Sequence, residues 1–205
     1  TEERAKGIPT LPEKLYYEML PQYPGYGETA GRLPVGIDVE SLEVKYLEVE
    51  KEPGLVIGEG GMGRTNTLRN VLKHIHQHNT AAEVYLFDSP KGDLTYARAW
   101  AGVHYTSFGG DYEQAFTDLE AMVEERKKML EAAKEVQEYP TGDSSATEQS
   151  PIYILIDVVQ SLYESLEEKG LSKRLTVIEE ALACGVYLIA SSDANLRASK
   201  NSLFQ

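Results

Sequence analysis

The sequence predicts an α/β domain: a largely parallel sheet with helices on both faces. Three observations carry that expectation. Short apolar runs, at Leu55–Ile57, Glu83–Asp88, Ile152–Asp157 and Val186–Ala190, alternate with stretches of helical periodicity. The runs lack polar alternation, as strands buried on both faces do. The first of them leads through a glycine-rich loop, Gly58-Glu59-Gly60-Gly61-Met62-Gly63, directly into a helix-like segment.

The chain has 205 residues, enough for one domain with a core of its own. Its net charge is −13, from 33 acidic and 20 basic side chains. A nucleic-acid binder needs a basic stripe to neutralise phosphates. The one dense cationic run, Arg126-Lys127-Lys128, follows Glu124 and Glu125 and reads as a solvated helix face. Nucleic acid is therefore not an expected partner. Cys184 is the single cysteine, which rules out an internal disulfide and suits a reducing compartment. It reads as a small apolar residue near a helix end. No run approaches the roughly 20 apolar residues of a membrane span. The opening, Thr1-Glu2-Glu3-Arg4, carries no signal pattern and reads as a piece cut from something longer.

Residues 1–30 hold four of the nine prolines and read as an entry arm or inter-domain linker, with a short helix over Glu13–Leu20. Residues 31–205 read as the domain proper, with its C-terminal end cut short. Two strands are expected around Val35-Gly36-Ile37 and over Val44–Val49, and Leu55–Ile57 is expected to be a central parallel strand. After the glycine loop, Leu68, Val71, Leu72 and Ile75 form one apolar stripe over a helix from Thr65 to about His78. His74, His76 and His78 close that helix on other faces, where the helix dipole favours positive charge. His74 and His78 have ligand spacing, but no third ligand accompanies them. Strands are expected at Glu83–Asp88 and Val103–Ser107. Asp111 opens a long helix, with Gln114 as its capping-box partner and a stripe of Tyr112, Ala115, Phe116, Leu119, Met122, Val123, Leu130 and Ala133. Tyr139–Ser150 reads as a surface loop. Helices are expected over Ser161–Glu168 and around Leu175–Leu182. Gly185 ends the latter before the strand Val186–Ala190.

The loop supports two chemistries. Gly58 to Thr65 has the spacing of a phosphate-binding loop, G-x-x-x-x-G-K-[ST], with Arg64 in place of lysine. Such a loop points backbone N–H groups inward at the start of a helix, where phosphate binds. Gly58, Gly60 and Gly63 also satisfy G-x-G-x-x-G, and Asp88 then stands where a ribose-binding carboxylate would end the next strand. Against this dinucleotide reading, Arg64-Thr65 follows Gly63 as Lys-Thr would. At least two strand candidates precede the loop. Ile152–Asp157 also has the shape of a Walker B strand, whose Asp holds Mg²⁺ together with the loop Thr.

Further segments give the chain a resemblance to the ATPase modules of the FtsK/SpoIIIE family, from about Leu33 to Phe204. Asp88, Lys91, Leu94 and Tyr96, with Pro90 inside, match the segment after that family's second strand. Met122 to Lys128 resembles the end of its long helix. Ala183-Cys184-Gly185-Val186-Tyr187-Leu188-Ile189 resembles its late helix-to-strand passage. Within the family, Gly7–Pro12 and Leu33–Asp38 resemble the joins between the tandem ATPase domains of type VII secretion motors, and the degenerate motifs point to the last module. The resemblance implies a RecA-like P-loop NTPase fold and ATP as ligand. It implies Gly58, Glu59, Gly60, Gly61, Met62, Gly63, Arg64, Thr65 and Asn66 around the nucleotide, with Thr65 and Asp157 at Mg²⁺. It also implies a cytoplasmic domain of a membrane-anchored parent that handles WXG100-class substrates, beside neighbouring ATPase domains and in a ring or homo-oligomer. Any membrane attachment lies in other parts of that parent.

Three departures set the chain apart from the family's pattern. Arg64 replaces the lysine, and its planar fork cannot occupy the same point as an ammonium. Val158 stands where active members place an acidic residue that orients the attacking water. Ser191-Ser192-Asp193 stands where a γ-phosphate-sensing Gln is normal. The expectation is therefore a pseudo-ATPase that binds nucleotide weakly and has a docking or regulatory role, with no catalytic residue assigned. An active DNA-translocating ATPase and a dinucleotide-binding domain are the alternatives.

Overall fold

A computed structural model describes residues 11–27, 29–138 and 150–193. The apolar runs form a five-stranded, wholly parallel sheet: β3 (Gly54–Ile57), β4 (Glu83–Phe87), β5 (Val103–Thr106), β6 (Ile152–Ile156) and β7 (Tyr187–Ser192). Their spatial order is β3-β7-β6-β4-β5. Ahead of them, β1 (Arg32–Ile37) and β2 (Val44–Glu48) pair antiparallel in a separate two-stranded sheet.

All five residues of β6 are buried, because both faces of the sheet are covered. On one face, Val84, Leu86, Tyr153, Leu155 and Ile189 meet Leu68, Val71, Leu72 and Ile75 of α1 (Arg64–His78). On the other, Tyr85, Phe87, Ile154, Ile156, Leu188 and Ala190 meet three helices: α2 (Tyr112–Glu138), α3 (Val159–Glu168) and α4 (Thr176–Ala183). Alternate residues of one strand thus feed two cores, as the pleat requires. The expected α/β class and two-sided covering hold.

The hairpin joins the α1-side core through Leu33 and Val49. Tyr153 Oη donates to the Ala30 carbonyl at 2.9 Å, tying the entry to the hairpin onto β6. Gly54 fits beneath it: a Cβ there would come within 2.7 Å of both Leu47 Cδ2 and Val49 Cγ1.

Several sequence expectations are corrected. β3 is an edge strand, with β7 as its neighbour among the described residues, and Ile57 is 56% exposed. A short apolar run looks central because the hairpin packs on its start. The Glu13–Leu20 helix is instead a 3-10 turn over Tyr17–Gln22, with Pro21 inside it. Proline lacks the N–H that an α-helix would need there. The capping box at α2 is half formed. Gln114 N–H donates to Asp111 Oδ1 at 3.0 Å, but the Gln114 amide reaches Asp118 instead. Of the apolar stripe on α2, Ala133 is exposed. The cationic run is not only a solvated face. Arg126 donates to the carbonyls of Cys184 and Ser150, and Lys127 bridges Glu124 and Glu180. His74 is fully buried against the Tyr17 hydroxyl and stacks on His78 at 4.6 Å, while His76 stacks on Trp100 at 4.3 Å. Among the described residues no cluster of three metal-ligating side chains exists. Cys184 caps α4 and is buried, as expected. Of the expected Tyr139–Ser150 loop, all but Ser150 lies outside the described residues.

Leu155 sits fully buried in the middle of β6. Leu155→Ala is expected to cost about 2–5 kcal/mol in urea unfolding, since a close-packed core collapses only partly around a deleted side chain. A loss below about 1 kcal/mol would contradict this packing.

Candidate nucleotide-binding site

A parallel sheet presents its strand C-termini at one end, and the residues singled out by sequence meet there. The register pairs Ile57 of β3 with Ser192 of β7, and Ile156 of β6 with Ala190. The Gly58 loop, Asp157 and Ser191–Asp193 are therefore neighbours.

The loop takes its shape from two glycines. Gly61 and Gly63 have φ of 85° and 87°, left-handed values that disfavour a side chain. A Cβ at Gly60, Gly61 or Gly63 would meet nothing within 4 Å, so the space in front of the loop backbone is open. Gly58 N–H donates to the Ser192 carbonyl at 3.2 Å, and Thr67 N–H closes the first helical turn onto the Gly63 carbonyl at 2.9 Å. Gly61, Gly63, Arg64, Thr65 and Asn66 line a depression of about 470 Å³, opposite Ser89, Lys91, Val158 and Asp193. Gly58, Glu59, Gly60 and Met62 do not line it, and Met62 is 73% exposed to solvent.

Asp157 follows β6 and is buried. Thr65 Oγ1 lies 3.2 and 3.3 Å from its two carboxylate oxygens. Ser191 Oγ donates to Asp157 Oδ1 at 2.8 Å and accepts from Val158 N–H at 2.8 Å. Thr65 and Asp157 are thus brought together from positions 92 residues apart, with oxygens suited to a hard cation. This half of the site fits magnesium.

The other half differs. Arg64, in the lysine position, forms an ion pair with Asp193; its side chain is 14% exposed and that of Asp193 50%. Val158, in the water-orienting position, adopts φ 61° and ψ 82°. A β-branched residue is strained in that left-handed region. Asp88 is committed elsewhere. Its oxygens accept from Ser89 N–H, Leu94 N–H and Tyr105 Oη at 2.8, 3.2 and 2.8 Å. Burial pushes its carboxyl above the ordinary range, against the pull of these donors. Asp88 shapes the Ser89–Leu94 turn and does not face a ribose.

Sequence reading missed Gln160, whose amide donates to Ser192 Oγ at 2.7 Å, and Arg69 on the rim of the depression. It also treated Ser191 only as a departure. The available signal was position: polar residues directly after the last apolar run of a parallel strand lie at the ligand end of the sheet.

Val158→Gly is expected to leave stability unchanged or raise it by up to about 1 kcal/mol, because relief of left-handed strain offsets the lost side chain. Chemical denaturation checks this, and a loss beyond about 2 kcal/mol would show that Val158 packing outweighs its backbone cost.

No family model matches the chain. Three curated proteins are similar to it. The ESX secretion system protein YukB of Bacillus subtilis is 25% identical over 169 residues, 82% of this chain and 11% of that protein. EccC of Thermomonospora curvata is 30% identical over 128 residues, 60% of this chain and 9% of that protein. The type VII secretion protein EssC of Staphylococcus aureus is 26% identical over 223 residues, 96% and 14%. The chain thus spans about a tenth of each relative's length. Among solved structures, the cytoplasmic domain of EssC superposes with a TM-score of 0.74 at 17% identity, over 97% of this chain and 38% of that one. ATPases 2 and 3 of EssC from Geobacillus thermodenitrificans give 0.70 at 16% identity, over 96% and 35%. ATPases 2 and 3 of T. curvata EccC, in complex with a signal sequence peptide, give 0.56 at 22% identity, over 97% and 34%. In fold the chain matches the ATPase modules of EssC and EccC, and in sequence it resembles parts of the type VII (ESX) secretion system proteins YukB, EccC and EssC.

Proposed function

We propose that this chain is an ATPase-like module of a type VII secretion motor that binds Mg²⁺–ATP weakly, turns it over slowly or not at all, and contributes by docking substrate and regulating neighbouring modules. One observation carries the reading: an open phosphate loop with the Thr65–Asp157 pair sits beside Arg64 and Val158, which replace its charged groups.

Magnesium, when bound, would neutralise charge on the nucleotide phosphates. Gly61 and Gly63 N–H groups and the N-terminus of α1 would receive the phosphates, and Thr65 with Asp157 would hold the cation side. Val158 has no group to accept a proton from, or orient, an attacking water. The site therefore binds better than it hydrolyses. The parent protein would be anchored in a membrane, with this module on the cytoplasmic side; no helix among the described residues is long and apolar enough to cross one.

Calorimetry with ATP and magnesium tests the chemistry. The expected Kd is about 0.1–1 mM, with turnover far below the ~1 s⁻¹ at the low end of typical enzymes. Thr65→Val is expected to abolish the magnesium dependence of binding. Micromolar affinity with fast turnover would refute the pseudo-ATPase reading.

The docking role draws on the EccC modules solved with a signal sequence peptide. A groove of about 480 Å³ between β5 and α2 supports it, with Tyr105 and Ala115 beside the polar Arg98, Asp111, Gln114 and Asp118. An amphipathic helical tail buries its apolar face in such a groove. Titration with a WXG100-class substrate is expected to show binding that is lost on deleting its C-terminal tail. Equal binding of both forms would leave only the inter-domain role. The DNA-translocating alternative is opposed by the net charge of −13, and salt-sensitive DNA binding in a gel shift would revive it.

A further inference from the structure

In phosphate loops that carry lysine, the ammonium meets the β- and γ-phosphates. Here the cation in that position already has a partner from the same chain. Asp193 is held from two sides. The Ile57–Ser192 register and the Gly58 N–H bond to the Ser192 carbonyl place the end of β7 against the start of the loop. On the other side, Gln160 Nε2 donates to Ser192 Oγ, which donates to the Asp193 carbonyl at 3.0 Å. The Asp193 side chain is half exposed, lines the same depression as Gly61, Gly63 and Thr65, and pairs with Arg64.

We propose that the Arg64–Asp193 ion pair is an internal latch that discriminates against a nucleoside triphosphate, with Asp193 as the residue that sets the selectivity. The inference rests on the reading of Gly58–Thr65 as a nucleotide site. A terminal phosphate that approaches Arg64 must displace a carboxylate, and then lies beside a second negative charge in a partly dry setting. A nucleoside diphosphate ends one phosphate short and meets less of that repulsion. The loop therefore favours the diphosphate. Arg64→Lys alone does not cure this, because a lysine would pair with the same carboxylate. The departures at Arg64 and at Ser191–Asp193, separate in the sequence, act as one device: the arginine in the lysine position is quenched by the aspartate after β7.

The test is calorimetric titration of the wild type, Asp193→Asn, Asp193→Glu, Arg64→Lys and the double variant Arg64→Lys/Asp193→Asn with Mg²⁺–ATP and Mg²⁺–ADP. Asp193→Asn is expected to tighten ATP binding about tenfold or more and ADP binding less than about threefold. Asp193→Glu keeps the charge and is expected to behave as the wild type. The double variant is expected to bind ATP at least as tightly as Asp193→Asn. Thermal unfolding of Asp193→Asn serves as the fold control and is expected to shift little, since the Asp193 side of the pair is half exposed to water. An equal change for both nucleotides, or no change, in a protein that does bind them overturns the latch and leaves the nucleotide site standing. Failure of every variant, the double included, to bind either nucleotide overturns the latch and the nucleotide reading together.

Discussion

Burial of β6 on both faces is the constraint on which the rest of the molecule depends. A strand whose one polar side-chain group over Ile152–Ile156 is the Tyr153 hydroxyl can exist only between two covered faces, and its backbone groups must all be met by β4 on one side and β7 on the other. Once that strand is fixed, the first residue past it is fixed too. Asp157 emerges at the sheet end from a fully covered strand and remains buried, so its carboxylate has to find donors. Ser191 from β7 and Thr65 from α1 supply them. The same arrangement that satisfies a buried carboxyl group also brings the Thr65 and Ser191 hydroxyls together beside the loop.

The two halves of the loop region are built differently. Thr65 and Asp157 contact each other directly. The glycine backbone has open space before Gly60, Gly61 and Gly63, while the charge of Arg64 is paired within the chain. A glycine loop can persist on conformational grounds alone, since Gly61 and Gly63 hold left-handed backbone whether or not a ligand arrives. Loop geometry is thus a weak witness to activity. Arg64, Val158 and Asp193 are the informative residues.

Much of this was legible from the chain. The apolar runs ending in Asp88 and Asp157, the stripe on α1 and the glycine spacing located the strands, the first helix and the loop, because each is a local pattern. What failed was non-local. The edge position of β3 depends on where β7 inserts, which no pattern within Leu55–Ile57 records. The role of Asp88 depends on Tyr105, brought alongside by the β4–β5 pairing. The pairing of Arg64 with Asp193 follows from the β3–β7 register. It was invisible as long as the two residues were read as separate departures. Arg126 and Lys127 looked solvated because their partners, Cys184, Ser150 and Glu180, lie far along the chain.

The β3–β7 pairing also bears on how a growing chain becomes this structure. β3 and the loop leave the ribosome before their sheet neighbour β7, which lies at the end of the described residues. Pairings of such long range form late, since the intervening chain must first be closed into a loop at an entropic cost. Until β7 inserts, the start of the glycine loop lacks its anchor at the Ser192 carbonyl and Asp157 lacks its Ser191 donor. The hairpin, α1 and the β4–β5 pair can assemble during synthesis from near neighbours. The surroundings of the glycine loop cannot, and they are completed only when β7 joins β3.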